Sequence, residues 1–565
     1  MLIARVACLL IVAAIAACDG EPRGQGIDVD RAMTVVQALA GEQGGPRFYN
    51  QGDGKTPLWI EHELAVLGVP FERAEVGRVR LPAIEVLGTR YRPAHEVSCV
   101  DWNVLARFGP PDGKALLIMA HYDTVAGSPG AVDNAASVGL LLALAKELRW
   151  EPPAQPVILA FTAAEEVGLV GAEALAAQLG DEVAFAIALD MVGGDGPLVV
   201  NGASTLIGRA ELAWLQTAAD ATGVELSVPI PHRVVSRFWP QAERADHGAF
   251  TRRGVRAIHF YNRGNDGEWI DRAYHSDRDV PSRVHRESVA DVGRLLRALI
   301  AMPVPAHDGD GFDIPLAHVV VPRWALVAFD LALALAALAA LFRKVQRDRR
   351  RGLGLVAGLV CFALAALAAY VAELATLPFD GAWTLSPLAK TIASTLVLAG
   401  AFGLVTRAAA RLSPWIGAHR YRVVAAAVPL AIGVALLALG AAELAWVWLV
   451  PAAAIAVLPA PIGVLASLLP ALLVLSPLQL REGVWNGFIP PSLPLSLLVA
   501  VIEVPFIASV AWMLRRRAYT GPLGTFVLGV GCGLAVIAGL SFAALAEPAC
   551  RPREFSTFGL ACERV

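Results

Sequence analysis

The chain is 565 residues long and carries 47 Lys and Arg against 50 Asp and Glu, a formal net charge of −3. That length exceeds one ordinary domain, and a charge so close to neutral does not point to nucleic acid as a partner. The hydrophobic fraction of 56% is high for a soluble protein. The excess is uneven. Up to about Arg323 polar, charged and apolar residues mix as in a globular domain; beyond it come long runs of Ala, Leu, Val and Gly with few charges. Ten of the eleven histidines precede Arg323 and only His419 follows, so catalytic chemistry is expected in the first part.

The first element is a targeting segment. Arg5 is followed by twelve apolar residues, Val6 to Ala17, and then Cys18. That run is too short to span a bilayer but suits a signal-peptide core. Ile15-Ala16-Ala17-Cys18 resembles a bacterial lipoprotein processing site, with Cys18 as the lipidated residue; an ordinary cleaved signal or a short anchor is the alternative. Residues 1–18 are thus expected to be a signal peptide, and the following domain to leave the cytoplasm. The seven cysteines, Cys8, Cys18, Cys99, Cys361, Cys532, Cys550 and Cys562, form no CxxC pair, so no structural zinc finger is signalled.

Residues 28–110 give a helical start and a β-rich stretch. Strands and helices then alternate. Residues 115–120 (ALLIMA) form a short apolar run that predicts a buried strand, and 135–149 a helix with an apolar face. A second strand is predicted at 156–162, a helix at 168–179, a third strand at 183–189 and a helix at 206–221. A late strand at 257–261 and a closing helix at 285–301 follow. This alternation implies right-handed crossovers and a largely parallel sheet covered on both faces. An active site then belongs at the carboxyl ends of the strands.

Short motifs follow those ends. His121-Tyr122-Asp123 closes the first strand, and Gly130-Ala131-Val132-Asp133-Asn134 precedes the first long helix. Glu165-Glu166 follows the second strand, Asp190 the third, and Tyr274-His275-Ser276-Asp277 the last. Two histidines and several carboxylates, without cysteine, suit a hydrolytic zinc site. Each is unremarkable alone: His121 as a core histidine, Asp133-Asn134 as a helix cap, Glu165-Glu166 as a helix start favoured by the dipole.

Together, HYD, GAVDN, AAEEVGLVGA, ALDMVG and YHSDRD resemble the co-catalytic di-zinc aminopeptidases, of the aminopeptidase Y and bacterial leucyl aminopeptidase type, over residues 28–303. The resemblance implies a zinc exopeptidase fold and two zinc ions. His121 and Asp190 would bind one and Glu166 and His275 the other, with Asp133 bridging. Glu165 would be the general base, and Asp123 would orient His121 from behind. It also implies a cis peptide between Asp133 and Asn134. Two zincs sharing a water lower its pKa toward about 7, and a carboxylate that is not a ligand can move the proton to the leaving amine. Asp246-His247 matches a further family motif, with Ala245 where a serine is usual, and is expected to shape the substrate pocket. Asn103 matches a position read as structural.

Residues 304–323 read as a linker. Eight apolar segments follow within an all-α membrane domain at 324–546: 324–342, 353–377, 388–406, 423–440, 444–458, 462–480, 493–514 and 523–546. Basic clusters lie at residues 343–351, at Arg407, Arg411, Arg420 and Arg422, and at Arg515-Arg516-Arg517. The positive-inside rule puts all three in the cytoplasm and the peptidase domain and the 547–565 tail outside. In an oxidising compartment Cys550 and Cys562 are expected to form a disulfide. A zinc peptidase followed by many helices resembles the endoplasmic-reticulum metallopeptidase branch, and Phe312-Asp313 loosely matches it too. The lipoprotein-like start points to a bacterial inner membrane with the domain in the periplasm. Asp330, Glu373, Glu443 and Glu503 fall in or near the spans, where acids are costly and often functional.

The leading expectation is a membrane-anchored zinc aminopeptidase that takes peptide substrates and contacts membrane lipid. Glutaminyl cyclisation or carboxypeptidase action on the same fold, a non-catalytic peptide sensor and a transporter are the alternatives. Retention of Glu165 and of every ligand type favours hydrolysis.

Overall fold

The structure is a computed structural model. It describes residues 27–41, 47, 54–86, 89–201, 207–228, 243, 245–262, 273–307, 311–314, 319–346, 420–458, 551–556 and 559–563, with isolated positions between 462 and 469. The lipidation candidate Cys18 and most of the expected spans lie outside the described residues.

Two helices open the chain, α1 (Val29–Ala40) and α2 (Lys55–Val66). The strands β1 (Glu72–Leu81), β2 (Ile84–Val86), β3 (Thr89–Arg92), β4 (His95–Phe108) and β5 (Ala115–His121) follow. The alternation expected from sequence then appears in order as α3 (Ala136–Trp150), β6 (Val157–Thr162), α4 (Val170–Leu179), β7 (Val183–Leu189) and, after the unexpected strand β8 (Leu198–Asn201), α5 (Arg209–Thr222), which a second unexpected strand, β9 (Leu226–Ser227), follows. The short α6 (His247–Thr251), β10 (Ala257–Asn262) and α7 (Arg286–Ala301) complete the domain.

Eight strands form one mixed sheet in the order β1-β4-β6-β5-β7-β10-β8-β9. The central four, β6, β5, β7 and β10, run parallel, while β4 and β8 lie antiparallel to their central neighbours. The core explains why the central runs are apolar throughout. Along β5, Leu116, Ile118 and Ala120 join the core under α1, α3 and α7; Leu117 and Met119 join the core under α4 and α6. Successive side chains of a strand point to opposite faces, so a strand covered on both sides reads as an unbroken apolar run. Each such leucine contributes roughly 1.5–3 kcal/mol on burial. Helix α1 crosses α3 closely: a Cβ on Gly139 would come 2.5 Å from the Ala32 carbonyl oxygen.

The carboxyl ends of the parallel strands gather on one edge of the sheet. The chain leaves the domain at the other. Gln155, just before β6, donates to the carbonyls of Ile300 (2.9 Å) and Met302 (2.7 Å) and accepts from Val304 N–H (3.1 Å). Arg256, just before β10, donates to Pro305 O at 2.8 Å.

The stretch expected to be a plain linker contains a two-stranded antiparallel sheet, β11 (Gly311–Ile314) with β12 (Val319–Pro322). It lies against α5 and meets the next helix. Three apolar helices are described beyond it: α8 (Arg323–Gln346), α9 (Arg420–Ala438) and α10 (Ala442–Val457), packed on one another. They correspond to the first, fourth and fifth expected segments. Among the described residues one helix, Arg323–Arg343, is long and apolar enough to cross a membrane. Asp330 and Glu443 are buried in this group; Glu373 and Glu503 lie outside the described residues. In the tail, β13 (Arg551–Ser556) pairs with β14 (Gly559–Glu563), and Cys562 stands opposite Pro552. Cys550, the other half of the expected bridge, lies outside the described residues.

The start of α1 yields a stability prediction. Asp28 accepts from the Arg31 amide at 3.0 Å and from Lys146 Nζ at 2.7 Å. These partners hold its carboxyl below the usual range. A lowered carboxyl stabilises the fold at pH above its unfolded value near 4, and that contribution is lost as pH falls through the lowered value. Asp28→Ala should cost about 1 kcal/mol at pH 7 and progressively less below pH 4, read by urea unfolding at both pH values. Asp28→Asn should keep most of the cap.

Candidate metal centre

Three strand ends bring the chemistry together. His121 is the last residue of β5. Thr162 ends β6, and Ala163-Ala164 lead to Glu165-Glu166; Asp190 follows β7 directly. The fourth segment is an irregular turn, Ala131–Ala135, entered through Gly130 at φ 67°. A Cβ on Gly130 would come 2.3 Å from Thr124 and 2.5 Å from Arg47, so only glycine fits. The Asp133–Asn134 peptide is cis, as the resemblance implied. His275, also in the left-handed region at φ 55°, sits in the turn after β10.

The side chains form two interlocked sets. His121 Nε2 lies 3.3 Å from Asp133 Oδ1 and 3.5 Å from Asp190 Oδ1. His275 Nε2 lies 3.2 Å from Asp133 Oδ2 and 3.1 Å from Glu166 Oε2. Asp133 therefore gives one oxygen to each set. Within each set the donor atoms lie within 4.8 Å of one another, spacing that can hold a metal ion. The Glu165 carboxylate falls within the same distance of His121 and Glu166. His121, Asp133, Glu165 and Glu166 are buried, while Asp190 and His275 are partly exposed.

Burial at this density has a cost. Desolvation pushes the Glu165 and Glu166 carboxyls up, and their carboxylate neighbours add to it. Burial opposes charge on His121, yet Glu165, Asp123, Asp133 and Asp190 raise it well above its ordinary value. His275 is likewise raised to about 10 by Glu166 and Asp133, against burial. Asp133 is lowered by its two histidines in spite of desolvation. Such a cluster needs positive charge among its oxygens. Two buried atoms facing it, His121 Nε2 and Glu166 Oε1, have no hydrogen-bond partner. Imidazole and carboxylate donors with free lone pairs fit divalent zinc.

Surrounding groups fix the donors. Asn134 Nδ2 donates to Leu189 O at 2.8 Å. Asn103 bridges β4 to the Glu165 turn: its Oδ1 accepts from Ala163 N–H (2.9 Å) and its Nδ2 donates to Gly171 O (3.0 Å). Buried Arg47 donates to the carbonyls of Leu39 (2.7 Å), Tyr122 (3.0 Å) and Gly130 (2.8 Å). Asp279 accepts from the amides of Val132 (2.8 Å) and Asp133 (3.0 Å).

One expectation changes. The Asp123 carboxylate stands 3.6 Å from His121 Nδ1, too far for a hydrogen bond. The ring nitrogen instead meets the Asp123 backbone carbonyl at 3.2 Å. The carboxylate accepts from the amides of Glu165 (3.0 Å) and Glu166 (3.2 Å), so it fixes that turn. Asp246 and His247, expected to shape a substrate pocket, are buried. They are 3% and 0% exposed, with Asp246 accepting from Thr162 Oγ1 and the His247 ring stacked on His259 at 5.6 Å. Burial carries the Asp246 carboxyl up to about 7 and the His247 imidazole well below its ordinary value.

Sequence reasoning missed Arg47, Asp279 and His259, whose Nε2 lies 3.2 Å from Asp190 O. Asp279 stood within YHSDRD; Arg47 and His259 carried no pattern.

Residues 103–300 match the model of peptidase family M28, and all six proposed donor and base residues fall within that span. The chain is similar to aminopeptidase YwaD of Bacillus subtilis, 29% identical over 195 residues, which covers 32% of this chain and 40% of that protein. It therefore spans about two-fifths of that relative's length. A vacuolar membrane protease of Candida albicans is 39% identical over 74 residues, 13% of this chain and 9% of that protein. Among solved structures, the zinc aminopeptidase BSAP from Bacillus subtilis is similar with a TM-score of 0.39 at 16% identity, over 49% of this chain and 96% of that one.

The Asn103 bridge can be tested directly. Asn103→Ala would strand a buried N–H and a buried carbonyl, at about 1–3 kcal/mol for each group left unsatisfied. Chemical unfolding should show the loss; a variant within about 0.5 kcal/mol of the parent would remove Asn103 from this role.

Proposed function

We propose that the chain is a membrane-anchored zinc metallopeptidase, an aminopeptidase that removes N-terminal residues from peptides outside the cytoplasm. One observation carries the reading: two donor sets share the oxygens of Asp133, with a further buried carboxylate, Glu165, against them. His121, Asp133 and Asp190 would hold one zinc, and Asp133, Glu166 and His275 the other. When bound, such a pair supplies the Lewis acidity that acidifies water and polarises a carbonyl. Glu165 takes the proton from the attacking water and returns it to the departing amine. The Asp123 carboxylate supports this division of labour, because it fixes both backbone amides and so lets Glu165 and Glu166 face different partners. Membrane anchorage is supported by the apolar helix Arg323–Arg343 and by the basic clusters of the second half; lipid at Cys18 and a Cys550–Cys562 bridge belong to the same reading.

Glu165→Gln should keep its zinc and lose kcat by at least about 10²-fold, measured on aminoacyl substrates with metal content determined on the same sample. Near-parental turnover in the zinc-loaded variant would sink the assignment. Purified protein should carry two zinc equivalents, and Asp133→Ala should lose both, since each set depends on that residue. Peptides with a free amino terminus should be cut and acetylated ones spared. Conversion of glutaminyl peptides to pyroglutamate without release of a residue would replace hydrolysis by cyclisation.

A further inference from the structure

We propose that Asp279 is a positioning residue for the metal centre, clamping the turn that bears Asp133 to the turn that bears His275 and so fixing their separation. The inference rests on the two-metal reading above. Asp279 is fully buried. Both of its carboxylate oxygens are committed, one to Val132 N–H at 2.8 Å and the other to Asp133 N–H at 3.0 Å. Its backbone carbonyl accepts a third bond from Ala131 N–H at 3.1 Å. One residue therefore receives three successive amides of the turn that holds the shared carboxylate.

The turn that carries Asp279 is itself closed. Ser276 N–H donates to Ala273 O at 3.1 Å and Asp279 N–H to Ser276 O at 3.2 Å. The Ser276 hydroxyl bonds Ala273 O at 2.9 Å and accepts from the Arg278 amide at 3.2 Å. His275 and Asp279 thus ride on one compact unit. On the far side of the Asp133 turn, Arg47 grips Gly130 O and Tyr122 O, which leaves the turn little freedom to drift.

This arrangement is asymmetric between the two donor sets. In the set of Asp133, Glu166 and His275, two of three donors sit on the segments that Asp279 joins. In the set of His121, Asp133 and Asp190, only Asp133 does. Loosening the clamp should therefore weaken the first of these sets selectively. Partners behind metal ligands typically change metal affinity about 10–100-fold when altered.

The test is stepwise zinc binding to the full chain in detergent, by competition with a chelator of known affinity. Asp279→Asn keeps the shape but turns one acceptor into a donor facing an N–H. The expected result is one zinc held within a few-fold of the parent and the second weakened by about 10–100-fold. Two zincs bound as in the parent would overturn the inference, as would equal weakening of both, which signals general loosening. Should Asp279→Asn not fold, Asp279→Glu is read the same way, and failure of both to fold assigns Asp279 to the fold alone and also overturns it. A parent chain that binds no zinc would instead overturn the two-metal reading.

Discussion

The structure is organised around a crowd of buried carboxylates. Asp133, Glu165, Glu166, Asp246 and Asp123 lie within one buried region, with Asp190 at its margin. Like charges withdrawn from water repel strongly, so the arrangement persists only with compensating charge and with backbone that cannot relax. Compensation within the protein comes from His121, His275 and Arg47, the last of which burial depresses to about 10 while Asp279, Asp123, Asp133 and Glu166 favour its charge. Asp133 is the pivot, since one of its oxygens faces each histidine.

Rigidity is supplied in layers. The parallel strands β5, β6 and β7 end together, so three donor segments start from one sheet edge at fixed spacing. Loops that leave that edge are then tied across rather than along the chain. Asp123 ties the first loop to the Glu165 turn, Asn103 ties that turn to β4, and Asn134 ties the Asp133 turn to β7. Each tie spends a side chain on backbone groups that would otherwise be buried without partners, so satisfying the backbone and placing the donors are one task.

Much of this was legible in the sequence. The apolar runs of β5, β6 and β7 showed a sheet covered on both faces, and the carboxylates and histidines at their ends marked one edge. Local pattern reached the residues that point into the centre. It did not reach those that act through backbone bonds to distant segments. Asp123 shows the difference: next to His121 in sequence, it serves residues more than forty positions away. Asp246 and His247 show it again, because their burial depends on α6 packing against β7 and β10. The hairpin β11–β12 was missed because its strands are only four residues each, too short for periodicity to register.

The path of the chain out of the domain has its own consequence. Residues 303–307 leave along the edge where β6 and β10 begin, held by Gln155 and Arg256, whereas the cluster lies where the strands end. Exit and cluster are therefore at opposite ends of the parallel strands. Whatever α8 is fixed to, the described backbone that leads toward it departs from the end of the sheet that does not bear His121 and His275.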